Sequence, residues 1–403
     1  MRRPRERGIA LILTLLIIVL LTTMVVELNY VSRIELNVTT NFRDDLKAYY
    51  VAEAGQTFWI SFLQMEAQIS AAMGQLAAFS QGGGTGSPGG TDQSSGQGSY
   101  SRMSITHYES EMYASIAPLL QGVLRIGQDG YIEVPQPVSL LIIQQDPQSQ
   151  QQPGQPTLDR LILPAIEDEE SKLNVNNLVG TNGKPDEFYK KTLFNLIKLL
   201  SGDQGLAQTL VDNLVPYIDK EENNGICPGT NTPYFTKDAP LDTIDELDQV
   251  CGFNAIATNL TNQEMTNFYL NFKHHISVHS EKVNFNTASP EVLYAILSVD
   301  DELLDTGLTY SEAQLVVETL REGPVDSTEK MKELVEQHTS VTWANSWSNI
   351  FSNTSQYFTI RSTGLIEITG LGLERAVRKT ITSVVKRGGG AGGVFQTLYW
   401  KAE

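Results

Sequence analysis

The chain has 403 residues, with 29 Lys and Arg against 47 Asp and Glu and a formal net charge of −18. That length is enough for two or three domains, and that charge repels nucleic acid and favours cationic partners, calcium among them. Neither a Gly-x-Ser-x-Gly elbow nor a P-loop is present, so an enzyme finds no motif to stand on.

The N-terminus reads Met1-Arg2-Arg3-Pro4-Arg5-Glu6-Arg7-Gly8, then runs apolar from Ile9 to Val26, broken by Thr14, Thr22 and Thr23. As a helix that run is about 27 Å long, enough to cross a thin bilayer. The arginines keep the N-terminal end cytoplasmic, so the rest of the chain lies outside the cytoplasm. A secretory signal carries its small-residue cleavage site after the apolar run. Here the small residue, Gly8, precedes it. The segment therefore resembles a prepilin leader, cut between Gly8 and Ile9 by a prepilin peptidase that also methylates Ile9. A plain single-pass anchor is the alternative.

Pilins and most pseudopilins carry Glu five residues after the cut, thought to pair with the terminal amine of the next subunit. The fifth residue here is Leu13. A carboxylate in the bilayer is costly without a partner, and a subunit with no neighbour above it offers none. Leu13 therefore points to the tip of a pilus-like filament, with neutral drift as the alternative.

Beyond the membrane segment (9–29), apolar residues including Ile34, Phe42, Leu46, Tyr50, Phe58 and Leu63 recur at helical spacing, and no Pro occurs from Ile9 to Gln81. One long amphipathic helix is expected over 30–80. Residues 81–100 are a Gly/Ser-rich tract, and a Gln/Pro-rich tract follows at 144–156. Strand-like runs stand at Tyr131–Val134, Val138–Ile143, Leu158–Leu163, Gln356–Ser362, Ile366–Ile368, Arg375–Val385 and Phe395–Trp400. The region between Leu163 and Gln356 has little β character. This predicts an α+β fold: a pilin-like long N-terminal transmembrane helix packed on a small antiparallel sheet, with a large inserted all-α domain. The expected divisions are a leader at 1–8, the first part of the α/β domain at 101–175, the insertion at 176–349 and closing strands at 350–403. Cys227 and Cys251 bracket one loop, and outside the cytoplasm such a pair reads as a disulfide. Two separate buried thiols are the alternative.

Three segments carry a family likeness. Asp168-Glu169-Glu170-Ser171-Lys172-Leu173-Asn174-Val175-Asn176, Ala239-Pro240-Leu241-Asp242-Thr243-Ile244-Asp245-Glu246-Leu247 and Val283-Asn284-Phe285-Asn286-Thr287-Ala288-Ser289-Pro290-Glu291-Val292-Leu293 occur in that order. They resemble segments of the minor pseudopilin K (GspK) family of type II secretion. The resemblance implies a non-enzymatic tip subunit of the pseudopilus in the bacterial inner membrane. Its partners would be the I- and J-type minor pseudopilins, with which it starts assembly, together with the secretin and the secreted exoproteins. It also implies structural calcium, which directs attention to the acidic loop holding Asp219, Glu221, Glu222, Asn224, Asp238 and Asp242. Their spacing is not that of an EF-hand, and a solvated acidic turn is the alternative. Asp300-Asp301-Glu302 is read as a feature of a helix N-terminus.

Two other readings compete. A minor or priming pilin of a type IV pilus shares the long helix. The region from Asn284 to Leu334 also resembles the helix-hairpin-helix or SAM-like units of DNA-binding proteins. Its hairpin, however, has three consecutive acids and no Gly-x-Gly, so phosphate would be repelled and no nucleic acid is expected. His275 and His279 stand at i, i+4, but no HExxH frame makes them a zinc site, and a surface or strand-adjacent histidine cluster is expected.

Overall fold

The computed structural model describes residues 5–81, 125–126, 131–133, 159–220, 225–227, 233–253, 262–370, 373–388 and 394–403. Helix α1 runs unbroken over Arg5–Gln81, 77 residues. Its few polar residues in the apolar part satisfy themselves. The hydroxyls of Thr14, Thr22 and Thr23 donate to the carbonyls of Leu11, Ile18 and Leu20, so no unpaired O–H faces the apolar surroundings.

The sheet has six antiparallel strands in the order β1 (Arg125–Ile126), β2 (Tyr131–Glu133), β3 (Asp159–Asp168), β10 (Tyr357–Gly370), β11 (Leu373–Arg387) and β12 (Phe395–Ala402). The long β10–β11 pairing sets Tyr357 opposite Lys386 and Ile366 opposite Val377. Alternation then divides the faces. Phe358, Ile360 and Val385 point one way and form a core with Ile166 and with Trp59 and Leu63 of α1. The strand run expected at Val138–Ile143 and both low-complexity tracts beyond Gln81 lie outside the described residues.

Between β3 and β10 lies the helical domain. In chain order it contains β4 (Leu173–Asn174), α2 (Glu187–Ser201), α3 (Gln204–Ile218), β5 (Gly225–Ile226), β6 (Pro233–Tyr234), α4 (Asn262–Lys273), β7 (Ile276–Ser277), β8 (Val283–Asn284), α5 (Pro290–Leu297), α6 (Tyr310–Glu322), α7 (Thr328–His338), α8 (Trp347–Ile350) and β9 (Phe351–Ser352). Side-chain caps fix where these helices start: Asp186, Asp203, Ser289, Thr309 and Ser327 each accept from a first-turn N–H. The domain has its own core, built on residues such as Leu196, Leu214, Phe272, Phe285, Leu293 and Trp347. The α+β, pilin-like fold expected from the sequence is the fold observed.

The sheet lies between α1 and the helical domain. On the side away from α1, Arg361, Thr382 and Tyr399 share a cleft of about 390 Å³ with Lys273, Val278 and His279 of the helical domain.

Candidate functional site

Helix α1 is seated on the sheet by small residues. Asp44, Ala48, Ala52, Gly55, Gln56, Trp59 and Leu63 are its buried positions, and their spacing is that of one helix face. Gln56 straps the two central strands. Its Nε2 donates to the carbonyls of Ile360 and Ile381, both at 2.8 Å, and its Oε1 accepts from the Ser383 hydroxyl at 2.7 Å. Lys379 reaches back from β11 to Asp45 at 3.1 Å.

A second set of apolar residues on α1 is bare. Ile34, Val38, Phe42, Leu46 and Tyr50 follow one another at intervals of four and are all exposed, Phe42 by 67%. The sequence pattern counted Ile34, Phe42, Leu46 and Tyr50 with Phe58 and Leu63 in one amphipathic helix. The five bare residues form an exposed ridge that winds around the helix by about 40° per step, from the azimuth of the sheet-facing stripe at Ile34 to its far side at Tyr50, while the sheet is approached through Ala48 and Ala52. Towards the N-terminus the ridge runs into a segment long and apolar enough to cross a membrane, with a mean hydropathy of 2.7. Leu13 lies in that segment, 58% exposed. The Gly8–Ile9 bond falls within the first turns of α1.

Three consecutive acids form the neck between sheet and helical domain. Asp168 ends β3, and its Oδ1 accepts from the Glu170 N–H at 2.8 Å. Its Oδ2 accepts from Thr287 at 2.6 Å and Ser355 at 2.5 Å. Glu169 accepts from Ser277 at 2.5 Å, Thr359 at 2.7 Å and Lys172 at 3.1 Å. Glu170 accepts from the Gln356 N–H at 2.5 Å. Each acid thus holds a different passage of the chain, and all three are at least 95% buried. Lys172 is buried as well, and lies 2.8 Å from Glu167 and 3.1 Å from Glu169.

Burial pushes Asp168 up to about 6, against its hydroxyl donors, and Glu170 up to about 7. Burial also works against Glu169, but Lys172 and the two hydroxyls outweigh it and hold Glu169 below the usual carboxylate range. Lys172 is likewise penalised by burial, yet Glu169 and Glu167 carry it above the usual lysine value. The sequence marked this segment as a family signature, without revealing that its acids hold the domain junction.

The helical domain is built twice from one plan. Lys172-Leu173-Asn174-Val175-Asn176 matches Lys282-Val283-Asn284-Phe285-Asn286, and Pro240-Leu241-Asp242-Thr243 matches Pro324-Val325-Asp326-Ser327. In the first unit β4 pairs in parallel with β7, and in the second β8 pairs in parallel with β9. Asn176 accepts from the Leu241 N–H at 2.7 Å and donates to the carbonyls of Leu241 and Val278 at 3.0 Å. Asn286 accepts from the Val325 N–H at 2.9 Å and donates to the carbonyls of Val325 and Asn353 at 2.9 and 3.2 Å. In both units Asn174 or Asn284 caps the N–H two residues ahead. The repeat of Lys-x-Asn-x-Asn was a signal that could have found this duplication.

Cys227 and Cys251 are bonded to each other, and the Cys251 carbonyl accepts from Asn213 of α3 at 3.0 Å. Of the acidic-loop residues, Glu221, Glu222 and Asn224 lie outside the described residues. Asp219 is buried where α3 ends. The Asp238 N–H donates to the Tyr217 carbonyl at 3.0 Å, which brings Asp238 to the same helix end. Asp238 has φ 54, and its Oδ1 is buried without a partner, as is the Thr236 Oγ1. Asp242 is exposed and paired with Lys237 at 2.8 Å. Among the described residues, no group of three or more His, Cys, Asp or Glu could hold a metal.

Two clusters singled out in the sequence find their places. His275 and His279 do not share a helix, since α4 ends at Lys273 and the pair flanks β7. His275 lies 3.1 Å from Ser289 and His279 packs near Tyr399. Asp301 stands at a helix N-terminus, that of α8 rather than of the helix next in sequence. Its carboxylate accepts from the N–H groups of Asn345 and Ser346, just ahead of α8, while the Trp347 indole donates to the Val299 carbonyl at 2.8 Å.

Comparison with known proteins gives two family matches. The model for type II secretion system, protein K matches residues 171–260, and the PilX N-terminal model matches residues 7–56. No curated protein sequence matches. A solved structure, the crystal structure of the GspK–GspI–GspJ complex from the type II secretion system of enterotoxigenic Escherichia coli, matches with a TM-score of 0.39 and 18% identity. The match covers 62% of this chain and 81% of that one.

Proposed function

We propose that this chain, which belongs to the type II secretion system protein K family, is the minor pseudopilin at the tip of a periplasmic pseudopilus. The observation that carries the reading is the run of bare apolar side chains Ile34, Val38, Phe42, Leu46 and Tyr50, which continues the apolar surface of the membrane segment and is not covered by the chain's own sheet. A ridge at intervals of four fits the groove of a neighbouring helix. Burying each large side chain there contributes roughly 1.5–3 kcal/mol. The neighbours proposed are the I- and J-type pseudopilins, with which the chain starts assembly. The helical domain adds bulk on the face of the sheet away from α1, which fits a position at the tip better than one within a shaft. With Leu13 in place of Glu, the helix has no carboxylate for such a subunit to meet.

In this reading the prepilin peptidase cuts between Gly8 and Ile9 and methylates Ile9. The helix stays in the inner membrane with its N-terminus cytoplasmic. The domains lie in the periplasm, below the secretin and within reach of secreted exoproteins. Calcium belongs to the proposal on one ground: the orphaned Asp238 Oδ1 stands at the helix end capped by buried Asp219. These two residues would hold the cation, which would compensate their buried charge. Asp242, already engaged by Lys237, fits less well.

The test is co-purification of the full chain in detergent with I- and J-type pseudopilins, with and without chelator, alongside Leu46→Glu. A ternary complex lost in Leu46→Glu is the expected result. Indifference to chelation would remove calcium and leave the tip reading standing. Failure to bind either partner would favour a minor pilin of a type IV pilus.

A further inference from the structure

Asp168 and Glu170 are 1% and 3% exposed, two residues apart, on the same turn. Among the described residues, no lysine or arginine pairs with either. Lys172, the buried cation nearest in sequence, is taken by Glu167 and Glu169, and Lys386 by Glu281. The remaining groups facing the pair are hydroxyls, main-chain N–H groups and like charges. Thr287 and Ser355 donate to Asp168, and the N–H groups of Gln356 and Lys282 donate to Glu170. Glu169 raises Asp168, and Asp168 and Glu281 raise Glu170. Two buried carboxylates so placed cannot both ionise cheaply, and they titrate as one coupled system. What they hold is the neck, for Ser355 and Gln356 lead into β10 while Lys282 and Thr287 flank β8.

We propose that the neck is a proton-dependent latch, in which Asp168 and Glu170 share one bound proton in the folded protein and its loss loosens the helical domain from the sheet.

Both groups sit above their unfolded values, at about 6 and about 7. The folded state therefore takes up protons between about pH 4 and 7, and the stability this gives is lost as pH rises through 6 to 7. His275 and His279, lowered by burial, act in the opposite sense over the same range. The informative quantity is consequently the difference between wild type and a variant with the same hydrogen-bonding shape. Asp168→Asn keeps an acceptor for the Glu170 N–H and turns its amide to hydroxyls that can rotate to accept.

The experiment uses the full chain in detergent from pH 5.5 to 8.5. Wild-type Tm is expected to fall relative to Asp168→Asn by roughly 5 °C. In wild type alone, protection of the Gln356 and Lys282 amides, corrected for intrinsic exchange, should drop about tenfold, matching a coupling of about one pKa unit. An infrared band of a protonated carboxyl group, present at pH 6 and gone at pH 8.5, should persist at lower pH in Asp168→Asn and be missing when Glu170→Gln is added. Equal pH slopes in both proteins, or no such band in wild type, would overturn the latch. Should Asp168→Asn not fold, Glu170→Gln and the wild-type infrared titration decide the matter alone.

Discussion

Gly364 of β10 lies so close to the carbonyl of Ala48 on α1 that a Cβ at this position would come within 2.1 Å of that oxygen and 2.9 Å of the Ala52 nitrogen. Main chain meets main chain here, so no side chain can swing aside. Gly364→Ala should lift α1 from the sheet at a cost of about 3 kcal/mol or more. Trp59, only 2% exposed on the same helix face, should shift its fluorescence to the red. A Gly364→Ala protein with wild-type melting and emission would show that the helix is not seated through this contact.

That seat was hidden in the sequence. Periodicity gave a long helix and alternation gave β10, β11 and β12, because both signals are local. Which face of α1 meets the sheet is decided by close approach, and there Ala and Gly outcompete Phe42 and Leu46. The neck was hidden for a related reason. Three acids in a row look like a solvated turn until Thr287, Ser355 and Thr359, all distant in sequence, arrive to cover them. Which helix Asp301 serves was hidden as well, because its partners, Asn345 and Ser346, lie a whole helical pair further on.

Asn176 and Asn286 each make three hydrogen bonds to main-chain groups of distant segments, and the two sets correspond atom for atom. Replacing either by Ala leaves an N–H and two carbonyls short of partners, at about 1–3 kcal/mol for each group that stays buried. Both variants should therefore lose similar stability, about 3 kcal/mol or more in denaturant titrations. Asn→Asp should not rescue, since it keeps the one accepted bond and loses both donated ones. Very different losses at the two sites would break the equivalence of the two units.

Leu13→Glu places a carboxylate in the apolar part of α1. At mid-membrane this costs about 2.5–3.5 kcal/mol without a partner. If no subunit stacks above this chain, secretion of exoproteins should fall modestly while the chain still inserts. Unchanged secretion would remove the support that Leu13 lends to the tip position.

Lys172→Met tests the neck's ion pair through the sign of its pH dependence. In the wild type Glu169 is held below its unfolded value, so its contribution is complete above about pH 4.5 and is lost as pH falls further. Lys172 is held above its unfolded value, so its contribution persists until pH rises past the lysine range. Removing the ammonium leaves Glu169, its side chain 5% exposed, with only the hydroxyls of Ser277 and Thr359. Burial then dominates and its pKa moves up. The variant should lose about 3–5 kcal/mol at pH 8, where a buried charge is left unpaired, and distinctly less at pH 5, where Glu169 can take a proton. Urea titrations at the two pH values read this directly. An equal loss at both would mean that Lys172 supports the neck through the packing of its methylenes and not through its charge.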